Sequence, residues 1–255
     1  MEIGAAYSRC RASCANRASD CGKNCATRQK VICPAGAVAS CVGRLNKVKL
    51  THILLGDGSL AEEISEYSLL ARTFLRAVSA EFLDPRRPGQ IDVAVTDPTL
   101  LKLGVTAAVG SPEVRRTLVT AWAGSNYRSI VSDSAHVSPS SRIGAGCAIG
   151  PSAVLSSSVV LAEHVVINIG ATVSHGTAVE EYATISPGAN VGGRCLIGPG
   201  TFLGIGSVVN SGVVTAPGTV LGAGSVLLRD TETNGIYAGS PARLIRICEG
   251  WLSEF

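Results

Sequence analysis

Between Val131 and Leu227 a bulky aliphatic residue returns at all but one of the sixth positions. The series runs Val131, Val137, Ile143, Ile149, Leu155, Leu161, Ile167, Val173, Val179, Ile185, Val191, Ile197, Leu203, Val209, Thr215, Leu221 and Leu227, and sixteen of these seventeen are Ile, Leu or Val. Four residues after each stands a small or β-branched residue, as at Ala135, Cys147, Ala153, Ala171 and Cys195. Six is not a helical period, which would set apolar residues three and four apart. It fits a short strand plus a corner, with one large and one small side chain pointing inward on each side. Three sides make a triangular coil of 18 residues, and coils stack strand on strand at about 4.8 Å. Alternating bulky and small inward residues fill such a prism to the density that interiors require. A fixed short period of this kind marks a β-solenoid, expected over residues 128–232. Cys147 and Cys195 fall on its small inward positions and read as structural thiols.

Upstream the pattern changes. Thr51 to Leu55 predicts a buried strand, followed by a Gly56-Asp57-Gly58 turn and a helix from Ala61 to about Ala77. Further strands are expected at Ala80–Asp84, Ile91–Thr96 and Val105–Gly110, with a helix over Pro112–Ala123 whose proline lies near its first turn. Strands alternating with helices argue a small parallel α/β unit over residues 51–127. Residues 233–255 form a closing segment in which Ile236 and Tyr237 add a last edge strand.

Composition narrows the picture. Apolar residues make up 46% of the 255 and aromatics only 4%, as suits a prism too narrow for rings. No stretch reaches the roughly 18–20 apolar residues of a membrane span, and the expected location is cytoplasmic. The net charge of +3 is unevenly spread: residues 1–50 carry nine Lys/Arg against two Asp/Glu, whereas residues 51–255 carry thirteen against seventeen. The acidic body has no nucleic-acid footprint. Six of the nine cysteines, Cys10, Cys14, Cys21, Cys25, Cys33 and Cys41, crowd the basic first segment. Zinc binding and a lipoprotein-like cleavage box before Cys41 are open readings of that segment. The favoured one is a disordered basic extension with few large apolar residues to bury.

Two places carry candidate chemistry. The Gly56-x-Gly58-x-x-Ala61 turn joins a strand to a helix, where glycines admit a pyrophosphate to the backbone and the helix N-terminus favours an anion. Gly56, Asp57 and Gly58 are therefore candidate substrate-binding residues, with Asp84 placed to hold a ribose hydroxyl. The other reading of the motif is a tight turn without a ligand. The unit is short for a dinucleotide fold, so a nucleotide-linked sugar fits better than NAD. In the solenoid, His175 follows the core residue Val173 by two places and should sit outward at a corner, above Ser157 and below Gly193. An exposed imidazole beside a bare peptide is suited to general-base work, although an ordinary corner histidine has the same spacing. A zinc site of three histidines is disfavoured: His136, His164 and His175 are 28 and 11 residues apart, neither a multiple of 18. No metal is expected.

Residues 51–246 resemble bacterial hexapeptide-repeat sugar acyltransferases, in particular the sialic acid O-acetyltransferase and amino-sugar N-acetyltransferase group. The resemblance rests on Asn168–Gly176, Val179–Asn190, Ile197–Val208, Val105–Arg115 and the closing Ala238-Gly-Ser-Pro-Ala-Arg243. It implies a left-handed parallel β-helix behind an α/β nucleotide-sugar-binding unit, and a homotrimer with clefts between neighbouring prisms. It further implies acetyl-CoA as acyl donor, His175 as general base and the Gly193 N–H as oxyanion donor. Gly204, Gly206, Gly222 and Gly224 would line the pantetheine, and Pro241 and Arg243 would meet the nucleotide end of CoA. The chain departs from the family by carrying Ser174 and Gly176 where acidic residues flank the histidine, and Thr184 where a second histidine is common. Glu163, Glu180 or Glu181 are the candidates to replace the missing carboxylate across a subunit interface. The expected activity is acetyl transfer to an amino or hydroxyl group of a sugar or nucleotide-linked sugar. The alternative is a non-catalytic assembly solenoid or an inactive family member.

Overall fold

The run His52–Leu55 forms β1, buried at all four residues, and it leads through Gly56–Gly58 into helix α1, Ser59–Tyr67. The computed structural model describes residues 52–67, 74–79 and 90–253. Strands β2 (Phe74–Val78), β3 (Gln90–Asp92) and β4 (Gly104–Ala107) complete a parallel sheet of order β3-β2-β1-β4, and helix α2 spans Pro112–Ala121. The sequence placed β2 inside a longer helix. Its residues include helix formers, but parallel pairing with β1 and β3 buries Leu75, Ala77 and Val78, and that tertiary gain decides the conformation. The expected strand Ala80–Asp84 and the cysteine-rich residues 1–50 lie outside the described residues. Strand β3 is shorter than expected because the Asp92 carboxylate accepts the Ala94 N–H at 2.9 Å and turns the chain.

From Ile130–Val131 (β5) to Val226–Leu227 (β21) the chain forms two-residue strands that pair in parallel with the strand 18 residues on, as in Val160↔Ala178 and Val166↔Thr184. Three faces result. The first carries strands beginning at 130, 148, 166, 184, 202 and 220, the second those at 136, 154, 172, 190, 208 and 226, and the third those at 142, 160, 178, 196 and 214. Ile149, Leu155, Ile167, Ile185, Ile197 and Leu203 are fully buried along the axis, and Cys147 and Cys195 are buried beside them. The first coil is the exception. Val131 is exposed, and Val137 and Ile143 are only partly buried, because no coil lies beneath them. At the other end β22 (Gly235–Gly239) pairs in parallel with β20 (Val220–Leu221) and antiparallel with β23 (Ala242–Ile247). The expected last strand is therefore not the edge; β23 is.

The α/β unit sits on the first face. Leu54, Leu60, Ala61, Ile64 and Ala108 pack against Ile130, Ala148 and Val166, which are outward residues of the solenoid buried by this contact. Equivalent outward residues on the other two faces, Val154, Val160, Leu196, Val208 and Val214, are exposed. Arg115 of α2 fastens the junction. It is fully buried and donates to the carbonyls of Val109, Gly110, His164, Tyr182 and Ala183 and to the Thr184 hydroxyl. Burial pulls its guanidinium down to about 9, which leaves it charged at neutral pH.

Two histidines are buried for structural reasons. The His52 Nε2 meets the Thr106 hydroxyl at 2.8 Å; His164 stacks on Tyr182 and meets Tyr127 edge-on. Burial pulls each down to about 4, aided by Arg128 at His52 and by Arg115 at His164. In the unfolded chain both would titrate near 6.5. Between these values the unfolded state binds more protons, so stability falls as pH drops from about 6.5 through 4. Thermal unfolding at stepped pH should show this loss, on the order of 2 kcal/mol per histidine. A His52→Gln, His164→Gln double variant should flatten the slope; an unchanged slope would refute the assignment.

Candidate active site

His175 stands where the period placed it, exposed at the corner between the second and third faces. Its carbonyl accepts the Arg194 N–H at 2.9 Å and the Gly176 N–H reaches the Ser157 carbonyl at 3.0 Å, so the corner is held to the coils above and below. The imidazole lies against Gly193. A Cβ added there would come within 2.7 Å of Nε2 and 2.8 Å of Cε1, so only glycine leaves the ring in this place. Inside the corner, the Thr177 hydroxyl donates to the Gly192 carbonyl at 2.8 Å and accepts the Cys195 N–H at 3.1 Å, while the Cys195 thiol points at the Asn210 carbonyl. The result is an exposed base on a rigid support, the arrangement that positions a catalytic group well.

The Gly193 N–H is already engaged: it donates to the Ser211 Oγ at 3.1 Å. The residues named to orient His175 are elsewhere. Glu163, Glu180 and Glu181 lie at the corner between the third and first faces. Thr184 faces the α/β unit, donating to the Gly110 carbonyl at 2.7 Å and accepting from Arg115. The Arg194 stem passes Gly176, 3.4 Å from where a Cβ would stand. His136 sits on the second face and His164 is buried at the third-to-first corner, so the three histidines do not converge.

The other predicted residues divide between two further places. Gly204, Gly206, Gly222 and Gly224 lie at the corner between the first and second faces, one corner away from His175 in the same protomer. Gly206 and Gly224 front open space, whereas Gly204 is pressed against the coil above. Pro241 and the exposed Arg243 belong to the closing hairpin. In the α/β unit the strand order reverses between β1 and β4, which is where parallel sheets bind ligands at their carboxyl ends. Gly56 has φ +114° and lies against Val109, so packing alone requires its glycine; Gly58 is exposed and fronts open space at the start of α1. The Asp57 carboxylate is buried and held by Arg76 and Gln90, each at 2.5 Å, so it braces the turn from within. Asp84 lies outside the described residues. Sequence reasoning missed the roles of Arg115, Arg194 and Ser211. Ser211 alone had a signal, since it stands two full coils beyond His175.

The fold and corner define a class, the left-handed parallel β-helix behind an α/β unit. No protein-family model matches the chain, and no curated protein matches it by sequence. Solved structures do. PerB from Caulobacter crescentus, in complex with CoA and GDP-perosamine, is 25% identical with a TM-score of 0.68, over 77% of this chain and 98% of that one. The acetyltransferase domain of PglB from Neisseria gonorrhoeae is 25% identical with a TM-score of 0.67, over 76% and 99% respectively. The same domain has been solved with acetyl coenzyme A. Another similar structure, 24% identical, is a mutant of a GDP-perosamine N-acetyl transferase from Caulobacter crescentus.

Proposed function

We propose that the protein is an acetyl-CoA-dependent acetyltransferase that modifies an amino or hydroxyl group of a sugar or nucleotide-linked sugar. The observation that carries this reading is the exposed His175 imidazole fixed against Gly193. In the reaction, His175 takes the proton from the acceptor as its nitrogen or oxygen bonds to the thioester carbon. The carbon–sulfur bond then breaks and CoA leaves as the thiol, receiving the proton from the imidazolium. Preorganised donors at the Gly193 corner stabilise the negative charge on the carbonyl oxygen. The nucleotide end of the acceptor sits at the Gly56–Gly58 turn, where the amides at the start of α1 meet phosphate.

This unit covers the first face, while His175 stands at the opposite corner. A sugar bound on one protomer therefore meets the imidazole of a neighbour, which agrees with a homotrimer. The exposed apolar residues Val154, Val160, Leu196, Val208 and Val214 on the two free faces supply its contact. In that assembly the glycine corner at 204–206 and 222–224 and the Pro241–Arg243 hairpin line the donor cleft. The same assembly lets Glu163, Glu180 or Glu181 of one protomer approach the histidine of the next. The donor places the protein in the cytoplasm. Among the described residues no helix is long and apolar enough to cross a membrane.

Full-length protein given acetyl-CoA and a panel of nucleotide amino sugars should release free thiol in step with acetylated product. Absence of both turnover and CoA binding would favour a solenoid used only for assembly.

A further inference from the structure

The peptide N–H of Gly193 has one hydrogen, and it is spent on Ser211. An amide so engaged cannot also give a straight hydrogen bond to a thioester oxygen. The serine is held firmly. Its backbone N lies 2.5 Å and its Oγ 2.8 Å from where a Cβ on Gly192 would stand, so Gly192 is the bed on which it rests. Its hydroxyl carries one hydrogen and two lone pairs. The Gly193 N–H occupies a lone pair, and the hydroxyl makes no hydrogen bond as donor among the described residues. Ser211 is exposed, in the same corner column as His175 and Gly193.

We propose that Ser211 is a catalytic residue: its hydroxyl, anchored by the Gly193 N–H, donates the hydrogen bond that receives the thioester oxygen as charge develops on it. This rests on the acetyl-transfer reading above. The acceptor's lone pair forms the new bond to the thioester carbon, and the carbonyl π pair moves onto oxygen. The Ser211 hydrogen stays on its own oxygen throughout. When the carbonyl re-forms, the C–S bond pair leaves with sulfur. Because the amide polarises the hydroxyl from behind, the two groups act in series.

The alternative, that Ser211 merely blocks the amide until acetyl-CoA displaces it, predicts the opposite sign. Ser211→Ala frees the Gly193 N–H. If the hydroxyl is the donor, kcat falls about 100-fold, the range for losing one oxyanion donor, while KM for acetyl-CoA and the melting temperature hold. Ser211→Thr, which keeps a hydroxyl, should recover most of the rate. Turnover in Ser211→Ala equal to or above wild type would overturn the proposal and leave acetyl transfer intact. Equal losses in the alanine and threonine variants would also overturn it, since position rather than hydroxyl would then matter. No transfer by the wild-type protein would remove both readings together.

Discussion

Replacing His175 with alanine is expected to lower turnover at least about 100-fold and to leave thermal stability unchanged. The two halves of this expectation have separate physical grounds. The imidazole is exposed and its ring makes no hydrogen bond among the described residues, so its removal breaks no buried contact. The backbone that holds the corner, through the His175 carbonyl and the Arg194 N–H, survives the substitution. The chemistry does not. Without a base at this point the acceptor must shed its proton to solvent, and nothing else in the corner column can accept it: Ser157, Gly193 and Ser211 offer no group that titrates near neutrality. Steady-state rates with wild-type and variant protein, alongside melting curves, check both halves. Full activity in the variant would remove the residue from the mechanism, and a large loss of stability would recast it as a structural corner.

The second large effect concerns Arg115 and is one of stability. Its guanidinium is the shared donor for five carbonyls contributed by the α/β unit and by the solenoid coils at His164, Tyr182 and Ala183. Arg115→Met keeps much of the volume and removes every donor. The Ala183 carbonyl keeps the Val166 N–H and the Gly110 carbonyl keeps the Thr184 hydroxyl, but those of Val109, His164 and Tyr182 lose their Arg115 donor. At about 1–3 kcal/mol for each acceptor left unsatisfied, the loss is enough to lower the melting temperature by on the order of 10 °C. Arg115→Lys should fall between, since an ammonium has three donors and no planar fork. The loss should be greatest in the α/β unit, which hydrogen exchange resolves separately from the solenoid. A methionine variant as stable as wild type would mean that water or neighbouring amides satisfy the carbonyls unaided.

These two residues mark how far the sequence could be read. The prism was legible because each inward position, from Ile149 to Leu227, repeats the same packing demand, and counting in eighteens is enough to set His175 beside Gly193. The same count reaches Ser211, but a serine at a corner is compositionally ordinary, so nothing distinguished it from Ser157. Arg115 was opaque for a different reason. Its acceptors are main-chain oxygens 49 to 68 residues away in the solenoid, and carbonyls leave no trace in a sequence. The boundary between α1 and β2 was misread because Leu75-Arg76-Ala77 suits either state in isolation, and the neighbouring strands decide. Asp57 looked like a ligand contact from its place in a glycine turn; its pairing with Arg76 and Gln90 needed strands whose positions the sequence left uncertain.

The parallel pairing at a constant offset of 18 residues makes the barrel of this molecule a graduated rod. Each added rung lengthens it by about 4.8 Å without turning any side chain to a new azimuth. Splicing in a copy of 196–213 would thus push the terminal hairpin outward by one notch while the imidazole kept its bearing. An extra six residues would swing everything beyond them through a third of a revolution. An elongated donor laid lengthwise is therefore gauged in whole notches, and reach along the rod can evolve independently of direction around it.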